Sequence, residues 1–128
     1  MKRVLIVDND PDVLDIMQEA LTYEGLHVTG MAEANDIFQL IDLYQPDLLM
    51  IDYLLDGING GEICHQLKVN PKTQHLPVII MSAYPRVMLS LGTYDSDDFI
   101  AKPFDLNDMV SRIKKLTNKR RNRSSHAV

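Results

Sequence analysis

Short apolar runs alternate along this chain with longer segments in which apolar residues recur at helical spacing. Most of the runs are apolar throughout, which indicates strands of a sheet that is covered on both faces. Strand–helix repeats of this length need right-handed crossovers between parallel strands. The pattern therefore predicts an α/β domain with a doubly wound, five-stranded parallel sheet. The predicted strands are residues 4–7, 26–31, 48–51, 78–81 and 99–101.

The segments between the runs carry recognisable helix ends. Pro11 suits the first turn of the first helix, and Gly25 suits its C-terminal stop. Residues 34–45 have the spacing of a second helix, and Gly60 leads into a third. The last helix starts at Asp105, whose carboxylate is a good N-cap.

Two segments depart from this regular pattern. Residues 84–98 hold at most two helical turns and then a polar loop, so the fourth helix is predicted to be short or irregular. Residues 119–128 carry four basic side chains and no acid, with no apolar anchor before the last two residues. We predict that they form a disordered tail beyond a domain of residues 1–118.

Composition narrows the class of protein. A chain of 128 residues has room for one domain. Cys64 is the only cysteine, so no disulfide can form within the chain and a reducing compartment is indicated. No apolar stretch is long enough to span a bilayer, and we expect a cytoplasmic protein without membrane contact. The net charge of −5 argues against direct nucleic-acid binding, because the basic tail makes the remaining domain more acidic still.

Four of the predicted strands end in polar residues that suit phosphate or metal chemistry: Asp8, Asp52, Ser82 and Lys102. The carboxyl ends of parallel strands meet at one edge, where open α/β sheets bind ligands. In the strand order 2-1-3-4-5, Asp52 has Asp8 on one side and Ser82 on the other. Lys102 reaches across from two strands away.

The charges at this edge need a cation. Two carboxylates on strands about 5 Å apart repel by roughly 3 kcal/mol at an effective dielectric of 20. Lys102 supplies one positive charge, and an oxygen-seeking ion such as Mg²⁺ would supply the rest. Together with the Ser82 hydroxyl, these groups make a site for a phosphoryl group with Asp52 as the nucleophile.

Six pieces of the chain stand in a specific order and spacing: Val-Leu-Ile-Val-Asp8, Pro11, Asp52, Gly60, Ser82-Ala83 and Lys102-Pro103. On these pieces the sequence resembles a receiver domain of the bacterial response regulators over residues 2–117. The resemblance implies a flavodoxin-like receiver fold. It also implies that Asp52 takes a phosphoryl group from a sensor histidine kinase or a histidine phosphotransfer protein, and that a downstream protein target reads the result.

The resemblance implies a magnesium site. Asp8 would hold Mg²⁺ together with Asp52 and the backbone carbonyl of Leu54. Asn9 stands where the family has a second acid, so it keeps an oxygen ligand but loses a charge, and we expect weaker metal binding. Asp10 is a further candidate ligand that would compensate in part.

The remaining roles follow the family. Ser82 would follow the phosphate, and Phe99 occupies the switch aromatic position. The Lys102–Pro103 bond is commonly cis in the family, which would aim the lysine at the site. We predict a stand-alone, single-domain response regulator that is phosphorylated on Asp52. Such a protein assists its own phosphorylation and dephosphorylation but is not a turnover enzyme.

Two alternatives stay open. A receiver-like module could bind protein partners without phosphorylation, and Asn9 and the irregular fourth helix motivate this alternative. Asp8-x-Asp10 is also similar to the haloacid dehalogenase-like phosphatases, which use a strand-end aspartate as nucleophile. Against that reading, Asp12 stands where those enzymes have Thr or Val, and 128 residues leave no room for a cap domain.

Overall fold

The computed structural model describes residues 1–55, 57–84, 86, 92 and 94–126, and their side chains up to residue 118. The short fourth helix predicted within residues 84–98 falls mostly on residues 85, 87–91 and 93, which lie outside this description. The strands are β1 (Arg3–Val7), β2 (His27–Met31), β3 (Leu48–Asp52), β4 (Leu54–Leu55), β5 (Ile58–Asn59), β6 (Val78–Ser82) and β7 (Asp98–Ala101). The helices are α1 (Pro11–Tyr23), α2 (Ile37–Tyr44), α3 (Gly60–Val69) and α4 (Leu106–His126).

Five strands form one parallel sheet in the order β2-β1-β3-β6-β7, which confirms the predicted order. Val7 pairs with Ile51, and Asp52 pairs with Met81, so the central strands end at the same edge. β4 and β5 form a separate antiparallel hairpin directly after Asp52. This hairpin was not predicted, because strands of two residues are too short to show a periodic signal.

Both faces of the sheet are covered, as the uniformly apolar strands predict. Successive strand residues point to opposite faces, so each strand contributes to two separate layers of core. Under α2 and α3 lie Leu5, Val7, Leu49, Ile51, Val78 and Ile80, packed with Ile37, Ile63, Cys64 and Leu67. Under α1 and α4 lie Val4, Ile6, Leu48, Met50, Ile79 and Met81, packed with Leu14, Met17, Leu21, Met109 and Ile113.

The structure confirms the predicted ends of α1 and the predicted start of α4. Pro11 is the first residue of α1, and Gly25 lies just beyond its end with a φ of 84°. That φ is in the left-handed region, where glycine has no steric penalty. The Asp105 carboxylate caps α4 by accepting a hydrogen bond from the backbone N–H of Asp108 at 3.1 Å.

Two helices differ from the sequence expectation. α2 begins at Ile37 rather than at residue 34, because the Asp36 carboxylate caps it by accepting the Gln39 N–H at 3.1 Å. α4 continues as helix through residues 119–126, which we predicted to be part of a disordered tail. Lysine and arginine are good helix formers, so an established helix can propagate through them. No helix in the described part of the chain is long and apolar enough to cross a membrane.

Candidate functional site

The four predicted polar residues all lie at the carboxyl edge of the sheet. Asp52 ends β3 and Ser82 ends β6, while Asp8 and Lys102 directly follow β1 and β7. Asp8, Asp52 and Ser82 are buried, with 0%, 7% and 1% of their surfaces exposed. Polar groups this deeply buried need partners, because unpaired charges in an apolar setting are costly.

Lys102 joins the two carboxylates. Its Nζ lies 2.5 Å from Oδ2 of Asp8 and 3.3 Å from Oδ1 of Asp52. The Lys102–Pro103 peptide bond is cis, as the family resemblance implies. The lysine backbone is also fixed, since its N–H donates to the carbonyl of Ser82 at 2.8 Å. We call Asp8, Asp52 and Lys102 the buried charge cluster.

The buried charge cluster holds an excess of negative charge, since two carboxylates face one ammonium. Burial raises the pKa of Asp52; the charge of Lys102 lowers it and that of Asp8 raises it, with a net upward shift. Burial by itself lowers the pKa of Lys102, but its hydrogen bond to Asp8 and the charge of Asp52 outweigh burial and raise it. The lysine therefore stays charged, and the excess negative charge favours a further cation.

The turn after β1 supports Asp8. Its Oδ1 accepts the backbone N–H of Asp10 at 2.9 Å, so both carboxylate oxygens of Asp8 have partners. The Asp10 carboxylate caps α1 by accepting the N–H groups of Asp12 and Val13 at 3.0 and 3.4 Å. Asp10 thus has a structural role, and its role as a metal ligand stays a prediction. Asn9 is exposed between these two acids.

The loop after Asp52 requires a glycine. The N–H of Gly60 donates to the carbonyl of Tyr53 at 2.9 Å, which brings the start of α3 against the end of β3. A Cβ at position 60 would collide with the backbone carbonyl of Asp52. Leu54, whose carbonyl is a predicted metal ligand, pairs with Asn59 in the hairpin that follows Asp52.

Ser82 and Phe99 lie on the β6–β7 side of the site. The Ser82 hydroxyl accepts the backbone N–H of Tyr84 at 2.9 Å, which links it to the segment after β6. Phe99 is half-buried and packs against the core under α2 and α3. Their predicted roles in following the phosphate and in switching remain predictions.

Three further residues near Asp52 were not predicted from the sequence. The hydroxyls of Tyr53 and Tyr94 lie 3.2 Å apart, and the side-chain amide of Asn59 donates to the Tyr53 hydroxyl at 3.3 Å. Asn59 was detectable, because it immediately precedes a predicted helix and is a favoured N-cap. Tyr94 lies in a segment that reads as polar loop, so hydropathy carried no signal for it.

A comparison with protein families shows which family the chain belongs to. The model of the response regulator receiver domain matches residues 4–114. The chain belongs to this family. Receiver domains are signalling domains, and the fold and the strand order of this chain agree with that membership.

Individual relatives agree with it. The receiver domain is similar to RpaA of Synechocystis sp., a DNA-binding dual master transcriptional regulator, at 31% identity over 118 residues. The match covers 91% of this chain and 49% of RpaA, so the chain spans about half the length of that curated relative.

Solved structures give the same fold. One is the signal receiver domain of a histidine kinase from Syntrophus aciditrophicus, with a TM-score of 0.82 and 27% identity, covering 93% of this chain and 92% of that one. Another is the response regulator TrrA from Thermotoga maritima in complex with Mg²⁺ and BeF. Its TM-score is 0.81 at 25% identity, covering 91% of this chain and 99% of that one.

The residues of this receiver domain fit Mg²⁺ by the chemistry of their donors. Asp8 and Asp52 offer two carboxylates that share a single lysine, and the excess charge is negative. No group of three or more His, Cys, Asp or Glu side chains suited to a metal occurs in the part of the chain described. Mg²⁺ needs no such cage, because it is usually held by one or two carboxylates, phosphate oxygens and water.

Proposed function

We propose that this receiver domain accepts a phosphoryl group on Asp52 and signals through the resulting change of its surface. The observation that carries the proposal is the buried charge cluster, in which Lys102 contacts both Asp8 and the carboxylate of Asp52. The donor is a phosphohistidine on a sensor histidine kinase or a histidine phosphotransfer protein. The proposal concerns the receiver module itself, with or without further domains.

In the transfer step, a carboxylate oxygen of Asp52 attacks the phosphorus in line with the leaving nitrogen. The new O–P bond forms as the P–N bond of the phosphohistidine breaks, and the released imidazole takes up a proton from solvent. Lys102 neutralises phosphoryl oxygens, and its positive charge also lowers the pKa of Asp52 against the larger, opposite effect of burial. Ser82 donates its hydroxyl hydrogen to a phosphoryl oxygen.

Asp8, Asp52 and the carbonyl of Leu54 would hold Mg²⁺, with Asn9 and Asp10 as additional candidate ligands. When bound, the ion neutralises charge that develops on the phosphoryl oxygens. The excess negative charge of the buried charge cluster supports this assignment, since Lys102 compensates only one of two carboxylates.

We propose protein partners on both sides of the signal. The relative RpaA is a DNA-binding protein, but the match covers only 49% of its length. The net charge of −5 makes the chain a poor match for a nucleic-acid backbone. A downstream protein that reads the phosphorylated surface is therefore the favoured target.

The test is a phosphorylation assay with intact mass measurement. The protein is incubated with acetyl phosphate and Mg²⁺, and we expect the mass of one added phosphoryl group. Asp52→Asn should show no gain, while the matched control Asp42→Asn, an exposed acid on α2, should gain the group normally. No gain in the unmodified protein, or a gain that survives Asp52→Asn, would contradict the proposal.

The same assay separates the alternatives. A module that works without phosphorylation gains no mass yet keeps its partner whether or not the donor is present. A haloacid dehalogenase-like phosphatase would turn over a phosphomonoester repeatedly, and its activity would depend on Asp8 rather than on Asp52. Asn9 is the observation that favours the first of these alternatives, because it removes one charge from the expected metal site.

A further inference from the structure

Tyr53 directly follows Asp52, and its backbone is held on both sides. Its N–H donates to the carbonyl of Met81 at 2.8 Å, and its carbonyl accepts the N–H of Gly60 at 2.9 Å. The first bond ties Tyr53 to β6, and the second ties it to the first residue of α3. A displacement of Tyr53 would therefore also move Asp52, the preceding residue, and the start of α3.

The side chain of Tyr53 contacts a third segment of the chain, the residues just before β7. It is buried, with 6% of its surface exposed, and its hydroxyl lies 3.2 Å from the hydroxyl of Tyr94. The two rings are tilted by 51° with their centroids 5.9 Å apart, which is a normal aromatic contact. Asn59, the N-cap of α3, donates to the Tyr53 hydroxyl as well. Three segments of the chain thus meet at one hydroxyl group.

The ring of Tyr94 is seated on α3. A Cβ at Gly61 would come within 2.5 Å of the ring, so the absence of a side chain there is what lets Tyr94 approach the helix. Tyr94 and Asp95 both have positive φ values, 53° and 63°. Residues other than glycine rarely adopt this region, so the surrounding contacts hold the turn in place.

The residues after Tyr94 continue along the same helix. Oδ2 of Asp95 lies 3.3 Å from Nδ1 of His65, and Oδ2 of Asp97 lies 2.6 Å from Nζ of Lys68. Gly61, His65 and Lys68 are spaced by four and then three residues, which places them on one face of α3. We call residues 94–97 the α3 clasp. It runs along this face and leads directly into β7.

We propose that Tyr94 is a positioning residue, which holds the loop behind Asp52 through the Tyr53–Tyr94 hydroxyl pair and passes the state of Asp52 to the α3 clasp. The second part of this inference rests on the proposed function. His65 and Asp95 are half or more exposed, so a shift of the clasp would alter a surface that a protein partner can contact.

The positioning role is tested without phosphate, by site-resolved amide hydrogen exchange. Tyr94→Phe keeps the ring on Gly61 but removes the hydroxyl, and Tyr53→Phe removes the other half of the pair. We expect the exchange of the Tyr53 and Gly60 amides to rise about fivefold in Tyr94→Phe, the effect of one lost hydrogen bond. The matched control is Tyr23→Phe on α1, where 89% of the residue is exposed, and it should change neither amide.

Unchanged exchange at both amides in Tyr94→Phe would overturn the positioning role. The double variant adds a second check, because removing both hydroxyls should loosen the loop no more than Tyr53→Phe alone. Additive effects would show that the two hydroxyls act separately and would also overturn the proposal.

The coupling role is tested with Mg²⁺ and beryllofluoride as a stable mimic of the phosphoryl group. Loading should change the amide exchange of residues 94–97 in the unmodified protein. In Tyr94→Phe, loading should still occur while most of that change is lost. An undiminished change, or a variant that no longer loads, would overturn the coupling role. Failure of the unmodified protein to load would instead count against the proposed function, and the phosphate-free experiment would still decide the positioning role.

Discussion

Lys68 and Lys102 are both largely buried lysines, but they contact different numbers of carboxylates. Their side chains are 12% and 16% exposed. Lys68 meets one carboxylate, that of Asp97, at 2.6 Å. Lys102 meets two, those of Asp8 and Asp52. One pair is neutral, whereas the buried charge cluster has a negative charge in excess.

The neutral pair has the features of a structural connection. Lys68 also donates to the carbonyl of Leu76 at 2.8 Å, and Oδ2 of Asp97 also accepts the N–H of Val78. These bonds join α3, the start of β6 and the segment before β7. In the buried charge cluster, by contrast, one of the two carboxylates is not balanced by a positive charge. An excess of buried charge opposes folding, and its presence at a sheet edge is typical of a site that binds an ion or reacts.

The largest expected effect comes from removing each lysine. Lys102→Met leaves two buried carboxylates facing each other, at a cost of roughly 3 kcal/mol in the presence of a chelator, and Mg²⁺ should restore most of it. Lys68→Met removes a charge-assisted hydrogen bond to a partly exposed carboxylate and should cost about 2 kcal/mol whether or not Mg²⁺ is present. Chemical denaturation with and without Mg²⁺ measures both.

Lys115→Met is the matched control, because this lysine is exposed on α4 and its loss should change stability little. The comparison fails if the stabilities of Lys102→Met and Lys68→Met respond to Mg²⁺ by the same amount.

Replacing Asp52 and replacing Asp97 by asparagine should change the stability of the fold in opposite directions. Folding raises the pKa of Asp52 above its ordinary value of 3.8, so its ionisation destabilises the folded state as pH rises through the raised pKa. Asp52→Asn should therefore be more stable than the unmodified protein at neutral pH, and the gain should vanish below pH 3.8. Asp97→Asn should lose stability at neutral pH, because Lys68 keeps no carboxylate partner.

Thermal unfolding from roughly pH 3 to pH 8, which extends from below to well above the ordinary carboxylate pKa of about 4, compares the two variants. A loss of stability at neutral pH in Asp52→Asn would show that its carboxylate is stabilising, and the two regions would then be alike.

The smallest expected effect concerns Asn9, where the family has an acid. Asn9→Asp restores a ligand charge and should tighten Mg²⁺ binding about threefold, because affinity for hard cations follows the number of charged ligands. Calorimetric titration of the metal measures it, with Asp42→Asn as a charge-changing control away from the site. Equal affinity would show that position 9 does not contact the ion.

Much of the fold could be predicted from local patterns. The five long strands, their order and the start of α1 at Pro11 all agree with the structure. These features depend on apolar periodicity and on helix-end chemistry, which act over a few residues. The β4–β5 hairpin and the length of α4 were not predicted, because short strands and charged helical turns carry little periodic signal.

In the candidate site, too, some features could be predicted from the sequence and others could not. Its four polar residues could be named from the sequence, because each one ends or follows an apolar run. The contacts of Tyr94 and Lys68 could not, because they join residues that are distant in the chain. The hydroxyls of Tyr53 and Tyr94 meet across 41 residues, and Lys68 and Asp97 across 29.

Local sequence patterns are enough to say which charges stand at the ends of the strands and that these ends share one edge, because strand order and crossover handedness leave few alternatives. Which carboxylate each lysine contacts depends instead on tertiary packing. Lys102 lies closer to Asp8, which is 94 residues away in the chain, than to Asp52. Lys68 forms a neutral pair with Asp97. Such distances depend on how whole elements pack, and no local pattern encodes them.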